Sequence, residues 1–149
     1  GKKLSYNFIN EYGFFFGGDG HDGAVGISGV FVNSLKFNNT NDLLGIGVGY
    51  ELSTHTGQCI PLYLNYRHYF STNKKIMPLM NIAAGTLFNY WNNYSNTSNL
   101  KGNFGLYSTI AGGFKVSAFS FSSGFFLRTR PLDNNALYGG IEIKAGYTF

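Results

Sequence analysis

Near the end of the chain, Ile141, Ile143, Ala145, Tyr147 and Phe149 alternate residue by residue with Gly140, Glu142, Lys144, Gly146 and Thr148. Successive side chains of a β-strand point to opposite faces, so this segment has one wholly apolar and aromatic face and one built of glycine, charge and hydroxyl. A strand of a soluble sandwich seldom makes its polar face from glycine and paired charges. The pattern is that of a transmembrane β-barrel strand with lipid outside and a narrow polar lumen inside.

The composition fits such a wall. Aromatic residues make up 18% of the 149 residues and charged residues only 12%, against about 25% charged in an ordinary soluble domain. That balance excludes a disordered chain. The mean hydropathy is nevertheless close to neutral at −0.07, and no window approaches the roughly 18 apolar residues of a membrane helix. Lipid-facing and lumen-facing residues average out in a two-faced wall. The length favours a single barrel domain over residues 1–149. Cys59 is the single cysteine, so no internal disulfide framework exists. The net charge of +4 is spread along the chain with doublets only at Lys2-Lys3 and Lys74-Lys75, too thin for a nucleic-acid footprint. No signal peptide is visible, and Gly1 is read as the start of a mature or trimmed chain.

The same alternation recurs upstream. Tyr6, Phe8, Tyr12, Phe14 and Phe16 oppose Ser5, Asn7, Glu11 and Gly13. Residues 24–36 are ambiguous, with Val25, Ile27 and Phe31 competing with Val30 and Val32; the first set is assigned outward. Leu44, Ile46, Val48, Tyr50 and Leu52 oppose Gly45, Gly47, Gly49, Glu51 and Ser53. After a loop assigned to Thr54–Cys59, Leu62, Leu64, Tyr66 and Phe70 oppose Tyr63, Asn65, Arg67 and Tyr69. Met80, Ile82, Ala84, Phe88 and Tyr90 oppose Asn81, Ala83, Gly85 and Asn89. Phe104, Leu106, Ile110 and Phe114 oppose Tyr107, Thr109, Gly113 and Lys115. Phe119, Phe121, Phe125 and Leu127 oppose Ser120, Ser122, Gly124 and Arg128. With the closing segment these make eight strands of about 10–13 residues, enough to cross a bilayer when tilted. The expectation is an all-β, eight-stranded antiparallel up-and-down barrel with both ends of the chain periplasmic and its longer loops extracellular.

Charges sharpen the expectation. Glu11, Glu51, Arg67, Lys115, Arg128, Glu142 and Lys144 take lumen parity, and no charge falls mid-strand on the lipid face. Eight strands enclose a space that side chains just fill, so a barrel filled by paired charges is expected rather than a porin. Arg128 and Glu142 should meet on adjacent strands, Lys144 could reach Glu11 across the closing seam, and Arg67 should lie nearer the periplasm. Tyr6, Tyr66, Phe70, Tyr147 and Phe149 fall at one set of strand ends and Phe14, Phe16, Tyr90 and Phe104 at the other, as two interfacial aromatic belts.

The stretches Leu44-Gly45-Ile46-Gly47-Val48-Gly49-Tyr50-Glu51 and Ile60-Pro61-Leu62-Tyr63-Leu64-Asn65-Tyr66-Arg67-His68-Tyr69-Phe70, continued by Lys75-Ile76-Met77-Pro78 through Ala84-Gly85, resemble small outer-membrane β-barrel proteins of Bacteroidetes-type bacteria, OmpA/OmpX-like in architecture. The resemblance covers the third to fifth strands well and the last strand generically. It implies a fold, a location in the outer membrane and contact with its lipid, lipopolysaccharide included. Tyr147 and terminal Phe149 resemble the aromatic signal read by the outer-membrane assembly machinery. Activity is not implied.

Some eight-stranded barrels modify lipid A, which directs attention to Glu51, Ser53 and His55 on one parity. Same-face neighbours lie roughly 6.5–7 Å apart along a strand, too far for a hydrolytic triad. The lipid A deacylases carry a lipid-facing His-x-Ser, whereas this chain has Ser-x-His at lumen parity. His21 and His55 lack the acidic or cysteine partners of a metal site, and no metal or cofactor is expected. His68 belongs to an interface, and Cys59 is expected as an unpaired residue of an extracellular loop. Trp91 and Tyr94 beside the Asn-rich stretch 92–99 are candidates for carbohydrate or partner contact. The expectation is a non-enzymatic barrel, structural, surface-exposed or an accessory subunit of a larger outer-membrane complex. An outer-leaflet lipid A hydrolase or acyltransferase is the alternative. A soluble carrier would invert the two faces, and a narrow channel would need an open lumen.

Overall fold

Alternating apolar and polar runs bounded by Gly, Asn, Asp and Ser clusters are strand and turn signals, and each run forms a strand. A computed structural model describes residues 4–18, 23–37, 41–53, 57–70, 75–91, 104–129 and 137–149. The strands are β1 Leu4–Gly18, β2 Gly23–Phe37, β3 Asp42–Ser53, β4 Gly57–Tyr69, β5 Ile76–Trp91, β6 Phe104–Val116, β7 Phe119–Thr129 and β8 Leu137–Thr148. Each pairs antiparallel with the next, and β8 returns to β1, from Gly18↔Gly139 to Ile9↔Thr148, closing the barrel. Closure leaves no strand edge unpaired, the condition for a sheet to sit in a hydrocarbon layer.

The end at which β1 starts and β8 finishes is called basal, and the opposite end distal. Basal connections comprise residues 38–41, 70–75 and 117–118; distal ones comprise 19–22, 54–56, 92–103 and 130–136. The longer distal loops are therefore the last two, since the first two are as short as the basal turns. The β6–β7 turn is the tightest. Ser117 at its corner adopts φ 56°, a left-handed conformation that L-residues visit only singly.

The two faces separate cleanly. On β3 the exposed positions Leu44, Ile46, Val48, Tyr50 and Leu52 alternate with buried or half-buried Leu43, Gly45, Gly47, Gly49, Glu51 and Ser53. The ambiguous second segment resolves by the same rule: Val25, Ile27, Phe31 and Leu35 are exposed, while Val30 and Val32 are buried inside. The interior is consequently not wholly polar. Ile9, Phe15, Leu79 and Leu87 also point inward and are buried, forming apolar layers between the charged ones.

Cys59 is not in a loop. The β3–β4 ladder runs on to Glu51↔Cys59 and Ser53↔Gly57, so the connection shortens to 54–56 and Cys59 becomes a buried lumen residue of β4. The ladder lapses only beside Pro61, which has no N–H to give and in sequence reads as the end of a loop. The β4–β5 register shifts once, between Gln58, opposite Trp91, and Cys59, opposite Asn89.

Candidate functional site in the barrel lumen

Lumen parity places Glu51 at the distal end of β3 and Arg128 at the distal end of β7, strands that lie diametrically opposite in the closed order. Arg128 Nε donates to Glu51 Oε1 at 2.9 Å and its Nη2 to Glu51 Oε2 at 3.1 Å. The same Nη2 donates to Glu142 Oε2 at 3.1 Å, the adjacent-strand contact that parity predicts. The fork geometry of guanidinium suits it to hold two carboxylates at once. Its planar faces are covered by aromatic rings, with the centroids of Tyr107, Phe126 and Phe15 at 4.3, 4.6 and 5.2 Å. Phe15 and Phe126 themselves meet edge-on at 5.3 Å.

Lys144 extends this cluster toward mid-barrel. Its Nζ lies 3.4 Å from Glu142 Oε1 and 3.4 Å from the Tyr107 hydroxyl. Lys144 and Glu11 act on each other's charge without an ion pair at contact distance; Glu11 accepts from Arg67 Nη2 at 2.9 Å, three strands away, and both of these side chains are almost fully buried. The reason is reach. Along-strand neighbours of like parity put Glu142 beside Lys144, while the longer arginine spans the lumen to Glu11. Farther along the same side, Asn65 Nδ2 donates to Asn81 Oδ1 at 2.6 Å.

Between the two ion clusters Tyr63 and Tyr107 stack with centroids 4.7 Å apart and planes inclined by 17°. Room for these rings comes from glycine. A Cβ on Gly47 would lie 2.2 Å from the Tyr63 ring, and one on Gly26 would lie 2.1 Å from the Phe15 ring. The inward glycines thus accommodate aromatic rings. Sequence parity already placed Tyr63 and Tyr107 inward; that they stack across two strands had no sequence signal.

Lys115 does not join the ion network. It is half-buried at the basal mouth, its ammonium 5.4 Å from the Tyr69 ring centroid, and among the described residues no carboxylate pairs with it. On the outer face, Tyr6, Phe14, Phe16, Tyr66, Phe70, Tyr147 and Phe149 are exposed, the first two distal residues Phe14 and Phe16 at one rim and the rest at the basal rim. The side chains of Tyr90 and Phe104 lie outside the described residues. At the basal rim, Tyr66 donates to Asp42 Oδ1 at 2.7 Å and His68 Nδ1 lies 2.7 Å from the same oxygen. An aromatic ladder crosses the closing seam, with Phe31–Phe8 and Phe8–Phe149 both at 5.8 Å, Phe149–Tyr147 at 4.8 Å and Tyr147–Phe119 at 5.2 Å.

Of the residues considered for hydrolysis, Glu51 gives both carboxylate oxygens to Arg128, Ser53 is buried at lumen parity, and His55 lies outside the described residues. His21 and Tyr94 also lie outside them, as does the side chain of Trp91. Among the described residues no three His, Cys, Asp or Glu side chains gather in a metal-holding group.

No protein-family model matches the chain, and no curated protein sequence matches it. The backbone is similar to solved barrels. Neisserial surface protein A aligns with a TM-score of 0.60 at 10% identity, covering 99% of both chains. A de novo designed transmembrane β-barrel aligns with a TM-score of 0.52 at 11% identity, covering 96% of this chain and 95% of the design. The closed, eight-stranded, antiparallel up-and-down architecture of this chain is therefore the fold of small transmembrane β-barrels.

Proposed function

We propose that the protein is a non-enzymatic integral barrel of a bacterial outer membrane whose lumen is plugged by its own paired charges. It acts as a structural or surface protein, or as an accessory subunit of a larger outer-membrane complex. The observation that carries this reading is the pairing of Glu51 with Arg128 and of Glu11 with Arg67 across the lumen of an eight-stranded barrel, with Glu142 held between Arg128 and Lys144. Buried charges that hydrogen-bond one another hold distant strands together, and each carboxylate of the set is engaged by a cation. The exposed apolar wall calls for lipid, lipopolysaccharide in the outer leaflet included, and β8 with Tyr147 and Phe149 is the element we assign to recognition by the assembly machinery. In this orientation the basal end is periplasmic. The glycine alternation of β3, the Pro61 segment of β4 and the Lys75-Ile76-Met77-Pro78 sequence at the start of β5 are what support a Bacteroidetes-type origin.

Extraction from the native membrane in mild detergent tests the reading. A partner that copurifies stoichiometrically supports the accessory role, and a barrel that extracts alone supports the free structural role. Steps of conductance in planar bilayers, or lipid A whose acyl pattern changes when the protein is deleted, would each overturn it.

A further inference from the structure

The fold sorts charges that look scattered in the sequence. Three carboxylates and three cations pair in the lumen: Glu11, Glu51, Glu142, Arg67, Arg128 and Lys144. The distal connections contribute Asp19, Asp22 and Asp133 against Lys101 and Arg130. Everything else falls at the basal end: Lys2 and Lys3 precede β1, Lys36 ends β2, Lys74 and Lys75 lie in the β4–β5 connection and Lys115 ends β6, against Asp42 alone. By sequence the basal end thus carries +5 and the distal end −1, which together make the net charge of +4.

Among the described residues no carboxylate pairs with Lys36, Lys75 or Lys115. The basal connections 38–41, 70–75 and 117–118 contain no acidic residue, and Asp42 faces outward, engaged by Tyr66 and His68. Lys36 and Lys115 have lumen parity and are half-buried, and the charges that act on Lys115 are those of Arg67 and Lys36, both positive. Like charges that act on one another around a partly desolvated mouth are unfavourable unless an anion joins them.

We propose that the basal mouth of the barrel is a docking site for an acidic, extended segment of a partner protein on the aqueous side of that end. Lys36 and Lys115 take lumen parity, on the face turned away from the lipid headgroups around the outer wall. The cations come from β2, β6 and the β4–β5 connection, spread around the rim rather than converging on a point, so successive carboxylates match them better than one phosphate. The described cations of the mouth, Lys36, Lys75 and Lys115, are all lysines, flexible point charges without the bidentate fork that favours phosphate. The proposal rests on the accessory-subunit reading and supplies the chemistry of the partner.

The test is binding of a fluorescent hexaglutamate peptide to the detergent-solubilised full chain, followed by anisotropy at low and high salt. Binding that weakens with salt, falls about tenfold or more in K36Q/K115Q and changes less than about twofold in K101Q/R130Q is expected. The two double variants carry the same net charge, so the comparison isolates position. Neither lysine is in an ion pair with a described residue, and β-sheet circular dichroism verifies that both variants fold. Absence of binding at low salt, or equal loss in both variants, overturns the proposal. So does displacement of the peptide by an equal concentration of inorganic phosphate, which assigns the mouth to a single phosphate group. Loss of peptide binding in phosphatidylglycerol nanodiscs but not in neutral ones assigns it to lipid, with the same consequence. A failure here leaves the copurification result standing, because a partner held by the distal loops or the lipid-facing wall needs no basic mouth.

Discussion

Arg128 on β7 spans the full width of the barrel to grip Glu51 on β3, with Nε and Nη2 on the two carboxylate oxygens at 2.9 and 3.1 Å. Both residues are fully buried. A cross-lumen pair of this kind ties opposite walls directly, whereas backbone ladders tie only neighbours. Arg67 and Glu11 repeat the device nearer the basal end.

Breaking one half of the pair leaves a buried charge without its counterion. Glu51→Gln should destabilise the barrel by about 3–5 kcal/mol. The double variant E51Q/R128M removes both charges and should recover much of that loss. Urea unfolding in detergent or lipid, read by tryptophan fluorescence and gel mobility, measures both; a double variant as unstable as the single one would show that Arg128 serves mainly Glu142.

Tyr63 lies against Gly47 so closely that a Cβ would meet its ring carbons at 2.2–2.4 Å. Gly47→Ala should therefore cost about 1–3 kcal/mol, as overpacking does elsewhere. Tyr63→Leu in the same chain should relieve most of it. A double-mutant cycle with no coupling between the two sites would mean that the ring moves aside freely.

What was legible in sequence follows from the period of the strand. Parity alone separated Ile141, Ile143 and Tyr147 from Glu142 and Lys144, and the adjacent-strand meeting of Arg128 with Glu142 followed from strand order. Contacts across the lumen have no such signal. Glu51 and Arg128 are 77 residues apart and Glu11 and Arg67 are 56 apart, and which side chain reaches which depends on barrel width and side-chain length. For that reason parity put Lys144 within reach of Glu11 but did not fix its partner. In sequence Pro61 and Gly57 punctuate the segment around Cys59, yet β4 runs from Gly57 through Pro61 and its ladder with β3 lapses only beside the proline. The gathering of lysines at one mouth appears only once alternate strand ends are brought to the same side.

Cys59 gives a direct check on the distal wall. Its side chain is buried at lumen parity opposite Glu51, so the thiol is reachable only if the barrel opens. Maleimide should label less than about a tenth of the folded protein in the time that labels the urea-unfolded chain fully, since labelling of a buried group tracks the open population. Rapid labelling of the folded barrel would return Cys59 to an accessible loop.

Ile143 and Lys144 are consecutive residues of β8, yet one is 52% exposed on the outer wall and the other 3% exposed inside. If the outer wall faces hydrocarbon, Ile143→Arg near mid-strand should cost about 2–4 kcal/mol in lipid vesicles, and the same exchange at Phe119, at the basal rim, about 0–1 kcal/mol. A wall facing water would show neither the cost nor its dependence on depth. The pair of substitutions therefore measures the membrane position itself: equal effects at Ile143 and Phe119, or a folded barrel that stays monodisperse without detergent, would remove the bilayer from the account.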